Sequence, residues 1–171
     1  MKTKLPILII SALAIVAFCN LPVSAAAPKL TAEKSAKISQ NCGVIRQKLE
    51  SLQRVDSRTY SYFHNIYDTV ATKYIKPLNL RLVDNNTSNS ELLKIQTSIK
   101  TSEQDFSDDF IEYNKALDEL EVIDCKVDPE GFYTKLVDLR EKRAILAKDI
   151  EALNNLLVST VKNAEVLKGK L

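Results

Sequence analysis

From Ile38 to Val70 the large side chains recur in steps of four and three: Ile38, Cys42, Ile45, Leu49, Leu52, Phe63, Ile66 and Val70, with Asp56 and Thr59 taking two positions of the same seam. A seven-residue repeat puts one narrow stripe on a helix and requires a facing helix to cover it. Pro77 has no amide donor and crowds the turn before it, so it is expected to kink or end this first helix, with "LNLRLV" carrying it another turn or two. The rhythm resumes at Leu92, Ile95, Ile99, Ser102, Phe106, Phe110, Tyr113, Leu117 and Leu120, to about Ile123. It returns a third time from Phe132 through Leu136, Leu139, Arg143, Leu146, Ile150, Leu153, Leu157 and Thr160 to Leu167.

The joints carry their own signals. "DNNTSNS" is a polar turn, and Ser88 with Glu91 has the spacing of a capping box. In "DPEG", Asp128 is placed as an N-cap, Pro129 at the first helical position and Glu130 where a helix dipole favours an acid. Three amphipathic segments joined by two short turns imply an all-α fold. The expected form is an elongated, antiparallel, coiled-coil-like three-helix bundle, up-down-up, over residues 38–168. At 1.5 Å per residue each helix would be roughly 50 to 65 Å long.

Ahead of it, "MKTKLPILIISALAIVAFCNLPVSAAAPKL" has two lysines, an apolar run from Leu5 to Phe18 and a small-residue segment ending at Val23-Ser24-Ala25. This is the pattern of a secretory signal over 1–25, leaving a short extension over 26–37. The run is shorter than the ~20 residues that span a bilayer. Its flanks favour cleavage after Ala25 over retention as an anchor, which would need the membrane segment to stretch to Ala27. Phe18 before Cys19 disfavours lipid attachment. The expected location is therefore outside the cytoplasm: periplasmic, cell-surface or extracellular.

Cleavage would remove Lys2 and Lys4 and no acid, so the 24 basic residues become 22 against 22 acids. A neutral mature chain gives no electrostatic reason to bind nucleic acid or an anionic membrane, and a membrane contact is expected only if the signal stays attached. Export also governs the cysteines. Cys42 and Cys125 remain as an even pair in an oxidising compartment, without CxxC, CxxCH or a nearby histidine for zinc. A first turn centred near residues 84–87 brings both to the same end of the first helical hairpin, so a disulfide is expected.

Asp56 falls on the seam, level with residue 111 and with Arg143, itself a seam position. Opposite charges at one level imply a core ion pair, of the kind that fixes register more than it adds stability. Glu103, Asp105, Asp108, Asp109 and Glu112 crowd one helical face. A calcium loop needs a glycine turn and backbone ligands that a helix cannot supply, so this is read as a solvated face that pairs with "LREKRAILAK", Glu112 beside Lys142. His64 lies off the seam with Asp68 one turn on and is read as a surface residue. Tyr60, Tyr67 and Tyr74, seven residues apart, lie beside the seam. They form either the half-buried wall of a helix interface, the favoured reading, or a partner-binding stripe.

Several stretches carry a further likeness: "NCGVI" opening the first helix, "IKPLNLRL" before the first turn, "DCKVDPEGFYTKL" around the second cysteine and "LREKR" early in the third helix. Together with the signal peptide, this layout resembles a group of exported, all-helical proteins of unassigned function from ultrasmall, host-dependent bacteria. The resemblance implies an envelope or surface location and carries over no site residues.

No serine elbow, glycine-rich phosphate loop, paired catalytic carboxylates or metal-spaced histidines occur in the sequence. The expected function is therefore non-enzymatic and without cofactor: an exported helical module acting at the envelope or surface, whose partner is a protein or an envelope polymer. The alternatives are a carrier for a small apolar ligand between the helices and a periplasmic chaperone.

Overall fold

A computed structural model describes residues 30–85 and 90–168. The signal segment, Ser88 of the expected capping box and the end of the chain lie outside the described residues. Among the described residues every regular element is helical: α1 (Ala32–Gln40), α2 (Cys42–Thr69), a π-helical turn (Val70–Ile75), α3 (Lys76–Asp84), α4 (Ser90–Glu121) and α5 (Pro129–Lys168). The protein is a helical bundle, in which α4 and α5 pack along each other, α2 and α3 lie against α4, and α1 folds onto α5.

The chain becomes helical earlier than the seam announces. Within what the sequence marks as an extension, Thr31 Oγ1 accepts from the Lys34 amide at 3.3 Å and Lys37 pairs with Glu33 at 2.6 Å. These two local contacts support α1. Asn41 then leaves helical geometry, at φ −101° and ψ 11°, and its side-chain amide donates to the Lys37 carbonyl at 2.8 Å. Asparagine competes in this way with the helix ladder, so α1 and α2 are separate.

The helix is interrupted just before Pro77, which falls in the first turn of α3. The six residues before α3 widen into a π turn, and the Lys76 amide donates to the Ala71 carbonyl, five residues back. A π turn inserts extra backbone and rotates everything after it. The heptad that runs through Phe63, Ile66 and Val70 would next reach positions 73 and 77, and the row of Tyr60 and Tyr67 beside it would next reach Tyr74. Instead Ile75, Asn79 and Leu82 are buried, and Tyr74 is 67% exposed.

The core joins most of the seam residues with Tyr67, Ile75 and Leu82 from beside it. Tyr67, Phe106, Tyr113 and Phe132 are its largest buried members, with Leu92, Ile99, Leu117, Leu120, Leu139 and Leu153 between them. Full burial of each such side chain contributes roughly 1.5–3 kcal/mol, the main term holding the bundle together. At the start of α5, Asp128 Oδ1 accepts from the Gly131 amide at 2.8 Å, which satisfies one of the free donors of the helix end. A Cβ at Gly131 would overlap that carboxylate.

Candidate functional site

The α4–α5 turn is fastened to the junction of α1 and α2. Cys42, the first residue of α2, is disulfide-bonded to Cys125 in the turn, their Cα atoms 5.6 Å apart across a sequence separation of 83. Both are buried. Closing a loop of that length stabilises the fold by about 4–5 kcal/mol in the chain-entropy account. Polar contacts reinforce the joint. Arg46 donates to the Ile123 carbonyl at 2.8 Å, and the Ser39 hydroxyl donates to the carbonyls of Cys125 and Lys126 at 3.4 Å each.

Midway along the bundle, Asp56, Tyr113 and Arg143 meet from three helices. Arg143 Nε lies 2.7 Å from Asp56 Oδ2 and a terminal guanidinium nitrogen 3.0 Å from Oδ1, while the Tyr113 hydroxyl donates to Oδ2 at 2.7 Å. The Asp56 side chain is 12% exposed and that of Arg143 51%. The pair therefore sits at the rim of the core rather than inside it: the long arginine stem keeps its head in water while the short aspartate cannot. Burial, and then the hydrogen bond to Asp56, push the Tyr113 hydroxyl well above the usual phenol range. The Asp56 hydrogen bond is the main cause holding the Arg143 guanidinium still more firmly protonated. Sequence reasoning missed Tyr113, which reads there as one more aromatic seam residue; its level with Asp56 was the available signal.

The tyrosines expected on one edge are parted. Tyr60 is half-buried, stacked on Phe110 with ring centroids 3.9 Å apart, and its hydroxyl bonds the Ser107 hydroxyl at 3.1 Å. Tyr67 is fully buried, its hydroxyl 3.3 Å from both the Ile150 carbonyl and Asn154 Oδ1, and burial raises its pKa. Tyr74 points to solvent. The π turn is the reason: it opens at Val70, after Tyr67, and takes in Tyr74 itself, breaking the heptad spacing that would have aligned them.

His64 stacks against Tyr60, and its Nδ1 is enclosed 3.3 Å from Glu103 Oε1, without the alignment of a hydrogen bond. Burial holds the Glu103 carboxyl above its ordinary value, His64 pulls it down and Asp68 pushes it up. Nearer the first turn, Asn79 donates to Gln96, making a polar spot beneath α3 that the seam pattern did not announce. A shallow polar groove between α4 and α5 is lined by Glu112, Lys115, Glu119, Asp138 and Lys142. Lys142 lies 3.9 Å from Glu112, the pairing expected from the sequence.

These arrangements fix register and couple helices; none of them aligns a nucleophile with a base. Among the described residues, no group of histidine, cysteine, aspartate or glutamate side chains is disposed to hold a metal ion, and no helix is long and apolar enough to cross a membrane. Comparison with protein-family models, curated proteins and solved structures finds no match to this chain.

Proposed function

We propose that this chain is an exported, non-enzymatic helical-bundle protein that acts at the cell envelope or surface as an interaction or structural module. In this reading it is a three-helix, up-down-up rod, with α2 and α3 forming the first arm, α4 the second and α5 the third. The observation that carries the proposal is the buried cystine between Cys42 and Cys125, since a structural disulfide persists in oxidising compartments and is rare in the cytosol. The apolar run at the start of the sequence supports the same location. The filled seam, with Tyr67, Phe106 and Tyr113 at its centre, argues for a rod over a carrier, which would need space between the helices.

The partner is a protein or an envelope polymer, and the end of the rod far from the cystine is where it would bind. Tyr74, Leu80 and Val83 of the first arm, Leu93 at the start of α4, and Val158, Val161 and Val166 late in α5 are all more than half exposed. Exposed apolar groups gathered in one region mark interaction surfaces. Fractionation with crosslinking in intact cells tests the reading. The expected result is protein outside the cytoplasm, attached to a dominant partner that is lost when Tyr74 and Val83 are changed to serine. Recovery in the cytosol would overturn the assignment of location; a partner that survives both changes would overturn the assignment of the binding end.

A further inference from the structure

One edge of the α4–α5 seam carries a ladder of ion pairs. Lys135 pairs with Glu119 and, seven residues on along α5 and seven back along α4, Lys142 pairs with Glu112. The next equal step sets Asp149 opposite Asp105. A carboxylate thus stands where the pattern places a lysine. Asp109, one turn along α4 from Asp105, also bears on Asp149 as a like charge. Asp149 Oδ2 is enclosed and has no hydrogen-bond partner, as expected where two ionised carboxylates meet with no donor between them.

Among the described residues, the charges that act on Asp149 are carboxylates; its chain neighbour Lys148 is exposed. On α5 itself, the residues one turn away from Asp149 are Ile145, Leu146, Ala152 and Leu153. Lys142 is engaged by Glu112 and Arg143 by Asp56. On α4 the acting groups are Asp105 and Asp109, and the histidine of α2, His64, faces Glu103.

We infer that this third rung is a proton-operated clasp, in which one proton shared by Asp149 and Asp109 takes the place that lysine holds in the other two rungs and closes the middle of the α4–α5 seam in mild acid. Two carboxylates in contact resist double ionisation, and the first proton to bind becomes a donor between them. Burial first, and then the Asp109 and Asp105 charges, raise Asp149 from 3.8 to about 6. A carboxyl raised in the folded state contributes stability that is complete below its unfolded value and is lost as pH rises through the folded one. The clasp therefore tightens the bundle as its surroundings move from neutral to mildly acidic, a direction opposite to the usual salt-bridged carboxylate.

The test is carboxyl-carbon NMR titration of the oxidised full chain, combined with denaturant midpoints measured from about pH 7.5 to about pH 5. Asp149 should titrate with a midpoint near 6, and Asp109→Asn should lower that midpoint. The denaturation midpoint should rise with acid in the unaltered chain and in His64→Gln, and rise by less over the same interval in Asp149→Asn, where Glu103 is the raised carboxyl that remains. Asp149→Lys should raise the midpoint at neutral pH by completing the ladder. An Asp149 midpoint in the ordinary carboxylate range, an acid gain that Asp149→Asn leaves undiminished, or one abolished by His64→Gln would overturn the inference. The NMR midpoint, read on the unaltered chain, decides even if a variant fails to fold.

Discussion

Arg143 on α5 holds Asp56 on α2 through two hydrogen bonds, 2.7 and 3.0 Å long, and Tyr113 on α4 completes the grip from the third side. The carboxylate is the sheltered member of the group and the guanidinium the wet one, so the two ends of the pair respond differently to removal. Asp56→Ala leaves the buried Tyr113 hydroxyl without its acceptor and should cost about 2 kcal/mol. Arg143→Ala removes a half-exposed charge and should cost about 1 kcal/mol. Denaturant unfolding of the double variant should show a loss smaller than the sum by about 0.5 kcal/mol or more. Strict additivity would mean that the two side chains act independently.

The separated tyrosines make opposite demands on a mutant. Tyr67→Ala empties the centre of the core and should cost about 3–5 kcal/mol, in the range of large aromatic truncations. Tyr74→Ala removes an exposed ring and should stay within about 0.5 kcal/mol. Equal losses, measured by thermal or denaturant unfolding, would contradict the rotation placed between them.

That rotation has its own test. Inserting one alanine after Thr72 would place Ile75 and Leu82 nine and sixteen residues after Tyr67, beyond the single extra residue that the π turn absorbs, and carry both off the core. The melting temperature should fall by several degrees or more, since each buried aliphatic side chain contributes about 1.5–3 kcal/mol. Deleting Thr72 instead leaves spacings of seven and fourteen and should keep both side chains buried; equal losses from the insertion and the deletion would contradict this account of the turn.

The buried phenols predict an alkaline limit. Tyr67 is raised by burial, and Tyr113 by burial and its bond to Asp56, so both hydroxyls must stay protonated for the fold to hold. Groups raised in the folded state contribute stability that is lost as pH climbs above the unfolded value, here about 10. Ultraviolet titration should find two tyrosines that ionise late, together with unfolding, and Tyr67→Phe should leave one. Early, reversible ionisation of all six tyrosines would contradict the burial.

Much of this architecture is legible in the spacing of side chains. Helical character follows from the heptads; a turn centre near residues 84–87 is enough to bring Cys42 to Cys125, and the second turn, just before "DPEG", is needed as well to level Asp56 with Arg143. What the seam hides has local causes. Asn41 interrupts the helix because its amide reaches the Lys37 carbonyl, a competition that composition does not display. Before Pro77 the helix widens into a π turn, and that one changed turn suffices to bury Ile75 and expose Tyr74. The clasp on Asp149 was legible in principle, since Lys135, Lys142 and Asp149 share the seven-residue interval, but it shows only when helix pairing is followed rung by rung. Arg143 lies at the rim because side-chain length, and not seam position alone, decides how deep a charge sits.

The central claim is that an exported chain folds into a bundle whose α4–α5 turn is locked to the start of α2. Non-reducing peptide mapping of protein recovered from the cells that make it tests this most directly. The account predicts one dominant cross-link, Cys42 to Cys125 within a single chain; free thiols at both positions, or either cysteine linked to a second chain, would contradict it.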